Sequence, residues 1–505
     1  MPSLAETLLE LRANLHRMSA AASIYWHDYE TSGTDARRDR PVQFAGQRTT
    51  LDLEPVGDPT SIFCQPTADV LPQPGACMVT GIAPQRAMRE GVGEAEFSAR
   101  IHEELRAPGT CGTGYNSIRF DDEFTRNLLY RNFYDPYERE WKDGNSRWDI
   151  IDLARMCYAL RPQDIEWPIN DKGQPSFKLT DLTAANGIAH TQAHDALSDV
   201  QATIAFARLL KRAQPRLWDF YFGLRRKAEA FKYLDYAHRT PVLHTSSRYP
   251  AERGCTAMVV PLAAHPSLPN GVIVYDLGVD PAPLIELDAN EVHDLVFTPR
   301  ADLPEEFTRI PLKTVHANKS PALAPLSVLK DVDTRRIDLD VAQCEKHLDA
   351  LQRAADIAEK VRRVFAVERE TKETLDPELA IYTGFPSDAD KRLFAKVRGT
   401  PPAGLREYTD AFRDSRYAQL LFRYRARNFP TTLDAAEREH WAEFRRRRLA
   451  ESTALTSVTL DEYFTQIAAL RVDPTTSGAQ QALLDQLEQW GHHVARDIDY
   501  TIASP

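Results

Sequence analysis

The sequence predicts an α/β fold: an N-terminal α/β domain, then a small β-rich domain, then a helical C-terminal domain. Three observations predict it. From 23 to 215, short β-branched and aromatic runs alternate with segments whose apolar residues recur at helical spacing. From 216 to 368, after a basic helical lead-in, the runs are short and broken by Pro and Gly, the mark of a small sheet. From 371 to 500 helical periodicity dominates. A chain of 505 residues is also too long for one ordinary core, so several domains are expected.

Within the first domain, "SIYWHDY", "PVQFAGQRTTL" and "SIFCQP" read as strands separated by turn-rich pieces. "EAEFSARIHEEL" reads as a helix, "TCGTGYNS" as a strand running into a turn, and "FDDEFTRNLLYRNFY" as a helix opening near Asp121. "HDALSDVQATIAFARLLKRA" is helical, with Leu197, Val200, Ile204 and Leu209 on its apolar side. In the second domain "TAMVVPLA", "GVIVYDLG", "APLIELD" and "IPLKTVHANKSP" are β-like, and "DVAQCEKHLDALQRAADIAEKVRRVFAVERE" closes it as helix. "RYAQLLFRYRARNF", "LDAAEREHWAEFRRRRLAE" and "SGAQQALLDQLEQWGHHVARDI" are the clearest helices of the third. Residues 1–22 form an N-terminal extension, a short amphipathic helix or a loose segment. Its Glu6, Glu10, Arg12 and Arg17 interrupt any signal-peptide core.

Hydrophobic residues make up 43% and charged residues 27%, and no apolar run is long enough for a membrane span. The six cysteines are scattered with no C-x-x-C pair, which argues against a disulfide framework or a zinc site and suits a reducing cytoplasm. A net charge of -11 does not advertise a nucleic-acid binder, although an acidic enzyme can still concentrate basic groups in one cleft.

Chemistry-bearing residues gather in three places. In "IYWHDYETSGT", side-chain alternation puts Asp28 and Glu30 on one strand face, where they repel each other; a solvated strand end or a bound cation accounts for them. In "GYNSIRFDDEF", Asp121, Asp122 and Glu123 open a helix, where they act as caps or as ligands. In "AHTQAHDALSDV", His194 and Asp199 reach one site together if His194 lies in the loop before the helix; His190 and Asp195 are near alternatives. Asp28, Glu30, Asp121 and Asp199 together form an all-oxygen set suited to magnesium or manganese and unsuited to zinc or copper. Two such ions activate a water and stabilise the leaving oxygen of a phosphodiester displacement, with His194 as the general base.

D-x-E, N-x-x-F-D and H-x-x-x-x-D, in that order, resemble the three motifs of the DEDDh 3'→5' exonuclease superfamily. "HDYETSGT", "DRPVQFAG", "GYNSIRFDDEFTRNLLYRNFYDPY", "NSRWDIIDLARMCYALRP", "ANGIAHTQAHDALSDV" and "RYRARNFPTTLD" are similar to the bacterial exodeoxyribonuclease I family within it. That resemblance implies a ribonuclease H-like exonuclease domain (23–215), an SH3-like domain (216–368) and a helical C-terminal domain (371–500). It implies a monomeric, cytoplasmic, magnesium-dependent enzyme of DNA repair that degrades single-stranded DNA to 5'-mononucleotides and partners the single-stranded DNA-binding protein. The family's metal ligands fall on Asp28, Glu30, Asp121 and Asp199, with the F-D step selecting Asp121 over Asp122, and its catalytic histidine falls on His194.

Arg119, Arg126, Arg131, Arg147 and Arg155 interleave with Phe133, Tyr134, Tyr137, Trp141 and Trp148, either as a base-stacking and phosphate-tracking surface or as a salt-bridged core. By resemblance, Arg126, Tyr137, Trp141 and Arg155 contact DNA, as do Glu30 and Lys178. Lys178 stands where the family carries Arg, losing a bidentate fork, and Ser32 stands where it carries Phe. "EFRRRRLAE" reads as a solvated, partly salt-bridged helix, while Arg423, Tyr424, Arg425 and Arg427 line a cleft or anchor the helical domain. Competing readings are an RNA-processing or proofreading exonuclease and a non-catalytic adaptor for single-stranded DNA.

Overall fold

The computed structural model describes residues 22–190, 194–304, 308–366 and 375–502; nearly all of the N-terminal extension lies outside them. The chain divides into two compact units, one of residues 1–146, 190–201 and 373–505, the other of 147–189 and 202–372.

The first unit is built on β1 (Ser23–Thr31), β2 (Pro41–Thr49), β3 (Pro55–Phe63) and β4 (Thr110–Thr113), joined at the edge by the two-residue β5 (Ser146–Arg147) in the order β3-β2-β1-β4-β5. β1 runs antiparallel to β2 and parallel to β4. Alternation along β1 turns Tyr25 and Tyr29 toward Phe44, Phe97, Ile101, Leu105 and Leu128, a core under the helix Glu94–Arg106. Gly46, opposite His27, is required by close approach, because a Cβ there would stand 2.4 Å from the Tyr25 hydroxyl. β3 begins well before "SIFCQP": its first residues, with Pro55 and Pro59, are exposed on the sheet edge, where a missing N–H is tolerated.

Helices of the same unit include Ser415–Asn428, Ala435–Ala450, Leu460–Val472 and Gly478–Asp497. The arginines of "RYRARNF" anchor this region. Arg423 and Arg427 both bond Glu378, and Arg427 also takes Asp69 through two nitrogens at 3.1 and 2.7 Å. Arg425 makes a two-pronged pair with Glu437. The four-arginine run is not uniformly solvated: Arg447 is exposed, whereas Arg448 is buried against Asp69 and Glu378.

The second unit contains an antiparallel sheet ordered β10-β6-β7-β8-β9, from β6 (Val242–Thr245), β7 (Thr256–Ala264), β8 (Gly271–Asp276), β9 (Leu312–His316) and β10 (Ala322–Pro325). "APLIELD" is not a strand: Ala282–Glu286 is a short helix with a proline in its first turn and Leu284 buried. A short apolar run carries no period to separate the two, and proline suits a first helical turn. The helix predicted from "DVAQ…" is two, Val341–Arg353 and Ile357–Ala366, interrupted near Asp356, whose φ is 54°. Among the described residues no helix is long and apolar enough to cross a membrane.

Candidate active site

The site grows from the end of β1. Asp28 pairs across the sheet with Ala45 and Glu30 with Gln43, and both carboxylates leave the same face, opposite the aromatic core. Alanine opposite Asp28 leaves space above that face. The register slips just after Glu30, a bulge of the kind that ends pairing and re-aims side chains beside functional sites. Asp199 joins them from the first turn of the helix Ala196–Ala213. Asp28, Glu30 and Asp199 each offer a carboxylate oxygen, and these atoms lie within 4.8 Å of one another.

Such a cluster opposes its own ionisation. Burial, then Asp28, Asp199 and Asp195, push the Glu30 carboxyl up to about 9. Burial, then Asp121, Asp199 and Asp195, hold Asp28 well above the usual carboxylate range. Every charged neighbour behind these shifts is acidic. An oxygen-only donor set with excess negative charge is what a hard divalent cation requires.

Asp121 and Asp122 open the helix Asp121–Arg131 side by side but take different partners. Neither caps through the N-cap position, where Phe120 makes no side-chain bond. Asp121 is buried and accepts the Tyr29 N–H at 3.1 Å, which ties this helix start to β1 between the two carboxylates of the D-x-E pair. Asp122 is buried against Arg139, with the His27 imidazole 3.9 Å away. His27 lies wholly inside, and burial depresses its imidazole to about 4.

His194 stands in the turn before the helix, exposed, with φ of 67°. Asp195 accepts the Ser198 N–H at 3.1 Å, in the manner of a helix cap, and lies 3.5 Å from the Gln43 amide. The histidine in contact with the carboxylates is His190, whose Nε2 meets Oδ1 of Asp199. Asp195 and His190 are thus parts of the site that motif spacing alone does not select; the only sequence signal was their proximity to His194 and Asp199.

Of the expected DNA contacts, Arg126 is buried and gripped by Glu140 through two bonds of 2.7 and 2.9 Å and by Glu123 at 2.9 Å. Tyr137 lies beneath it, with the guanidinium 5.4 Å from the ring centre, and Trp141 is exposed. In the second unit, Arg155 donates to Asp152 at 2.5 Å, and Lys178 is exposed immediately before the helix Leu179–Ala185.

Comparison with known proteins agrees with this architecture. Residues 25–207 match the family described as exonuclease, 225–367 the exonuclease I SH3-like domain, and 375–494 the exonuclease I C-terminal domain. Exodeoxyribonuclease I of Escherichia coli K12 is 46% identical over 425 residues, covering 84% of this chain and 89% of that protein. A moderately thermophilic exonuclease I from Methylocaldum szegediense superposes with a TM-score of 0.90 at 51% identity, over 94% of this chain and all of that one (100%). The zinc-bound form of the E. coli exonuclease I complex with single-stranded DNA gives 0.88 at 43% identity, with coverage of 94% and 100%. With a ribonuclease H-like domain, an SH3-like domain and the C-terminal domain all matched in order, the chain belongs to the exonuclease I family.

Proposed function

We propose that the chain is a 3'→5' exodeoxyribonuclease that hydrolyses single-stranded DNA to 5'-mononucleotides, with the chemistry at Asp28, Glu30, Asp121 and Asp199. The observation that carries this is the convergence of three carboxylate oxygens within 4.8 Å, surrounded by further acidic groups. The donor set suits two magnesium ions, or manganese. Bound there, the metal would supply water activation and stabilisation of the leaving oxygen.

The residues divide the remaining work. Asp28, Glu30 and Asp199 would hold the metal, and Asp121, fixed by the Tyr29 amide, would complete the set from the helix start. Glu30 also meets the terminal nucleotide. His194 takes the proton of the attacking water, a task for which histidine is the side chain suited at neutral pH. A second reading rests on the contact of His190 with Asp199: His190 is the base and His194 is dispensable. Tyr137 and Trp141 stack on bases and Lys178 meets a phosphate; Arg126 and Arg155 contribute once their carboxylate partners share them with the strand. We place the domain limits at 23–215, 216–368 and 371–500, and assign a cytoplasmic monomer acting in DNA repair alongside the single-stranded DNA-binding protein, as the family resemblance supports.

The deciding experiment incubates 5'-labelled single-stranded and duplex DNA with the protein, with magnesium or with a chelator, beside Asp28→Ala. Metal-dependent shortening of the single strand from its 3' end, lost in the variant, is expected. Binding without shortening would leave an adaptor, and equal rates on RNA would favour an RNA-processing enzyme. His190→Ala and His194→Ala, compared in the same assay, separate the two bases.

A further inference from the structure

The helix Asp121–Arg131 starts without a side-chain cap at its N-cap position, so other contacts set how its first turn faces the sheet. Two faces of that turn are held by two different elements. Asp121 and Thr125, one turn apart, lie toward β1: Asp121 accepts the Tyr29 N–H at 3.1 Å, and the Thr125 hydroxyl stands 3.0 Å from that of Tyr29. Asp122 and Arg126, also one turn apart, lie toward the short turn Glu138–Glu140. Arg139 of that turn donates to Asp122 at 2.5 Å, and its neighbour Glu140 takes Arg126 through bonds of 2.7 and 2.9 Å.

Consecutive residues on a helix stand about 100° apart, so ties at Asp121 and Asp122 act in different directions. Bonds along one face leave a helix able to roll about that face; a bond to the next face stops the roll. The interior is shaped for this second bond. Arg139 and Asp122 are both buried, and His27, 3.9 Å from Asp122, is beyond hydrogen-bond reach. Gly112 of β4 leaves room for the guanidinium, since a Cβ there would crowd Nη1 of Arg139 at 3.3 Å. The Arg139 Nε has no hydrogen-bond partner among the described residues. Apolar side chains of similar volume would serve stability as well as a buried ion pair with an idle donor; what they would not supply is direction.

We propose that Arg139 is a positioning residue for the metal site: through Asp122 it sets the roll of the helix start, and with it the direction of the Asp121 carboxylate. The inference rests on the proposed function and extends it beyond the four carboxylates. Asp121 is close enough for its charge to act on Asp28, so a small roll of the helix changes what a cation there would meet. Side chains that orient metal ligands from behind are worth about tenfold to a hundredfold in metal affinity or activity when they are removed.

The test compares wild type with Arg139→Met, Arg139→Lys and Asp122→Asn, and with Arg253→Met, which breaks an ion pair with Asp276 in the second unit. Calorimetric titration with manganese, without DNA, gives the metal Kd; degradation of single-stranded DNA gives kcat and KM; oligonucleotide binding with chelator present shows which variants are folded. Arg139→Met and Asp122→Asn should each raise the manganese Kd and lower kcat by about tenfold to a hundredfold, with KM within about twofold. Arg139→Lys keeps the charge and can make the single bond to Asp122, so it should recover most of both, which a role in stability alone would not predict. Arg253→Met should match wild type in Kd and kcat. A wild-type Kd and kcat in folded Arg139→Met, or a failure of all three site variants to fold, would overturn the positioning role and leave the pair a strut of the interior. A wild type that neither binds manganese nor shortens the strand would overturn the proposed function, and the inference with it.

Discussion

Two acidic clusters in the first unit, one partly and one fully buried, answer the same problem in opposite ways. At Asp28, Glu30 and Asp199 the neighbours are more carboxylates, and Glu30 is pushed up to about 9. At Asp69, Glu378 and Glu94 the neighbours are arginines. Burial would raise these carboxyls too, but Arg427 and Arg448 at Asp69, the same pair with Arg40 and Arg423 at Glu378, and Arg131 with Arg40 at Glu94 hold them below the usual range. Burial is common to both; the sign of the shift is set by whether the chain supplies its own cations. The second cluster is complete without help. Around the first, every charged group behind the raised carboxyls is acidic, which is why we propose it as a metal site while the other reads as a strut.

The largest effect that would break the comparison is catalytic. Asp28→Asn should lower kcat by about a thousandfold, the equivalent of several kcal/mol of transition-state stabilisation. Retained binding of an oligonucleotide would show that the fold survives. Next, Glu378→Gln removes the shared acceptor of Arg40, Arg423, Arg427 and Arg448 and should destabilise the protein by about 3–5 kcal/mol in urea unfolding, since it leaves guanidinium groups buried without their anion.

Binding of magnesium at about a hundred times its Kd should stabilise the wild type by about 2.7 kcal/mol and leave Asp28→Asn unaffected, as thermal melts would register. An equal shift in both proteins would place the ion elsewhere.

The two clusters also predict opposite limbs in a pH series of urea unfolding with chelator present. Carboxyls held low in the folded chain contribute stability that is complete above the unfolded value, about 4, and is lost as pH falls through their lowered folded values. Glu30 runs the other way: from about 4.5 toward 9 the folded chain retains a proton that the unfolded chain releases, so metal-free stability falls as pH rises. Glu30→Gln should shrink that limb to the part contributed by Asp28, whose carboxyl is also held high, and leave the acid limb unchanged. The smallest effect serves as a control: Arg89→Ala breaks an exposed pair with Glu90 and should leave the urea midpoint unchanged.

Much of this was legible in the chain. Strand alternation placed Asp28 and Glu30 on one face, as observed, and the helix starting at Asp121 was readable from its acidic first turn. The exposed edge of β3 was less legible, because its prolines read as turn, and "APLIELD" carried no period to distinguish helix from strand. Arg126 is the sharper case. Its composition suited a phosphate contact as well as a salt bridge, and nothing local chose between Glu140, Glu123 and a DNA strand.

By itself, the sequence determined what short-range geometry controls: the two-residue period of β1 and the helix starts. Tertiary structure alone decided the partners. It brought Asp199 to Asp28 and Glu30, set His190 rather than His194 against Asp199, turned Asp122 to Arg139 while Asp121 took the Tyr29 amide, and buried Arg448 among anions far away in the chain. The physical reason is range. Backbone periodicity is set within one turn or one pleat, whereas charge compensation depends on which distant side chains share a low-dielectric interior, and only the folded chain specifies that.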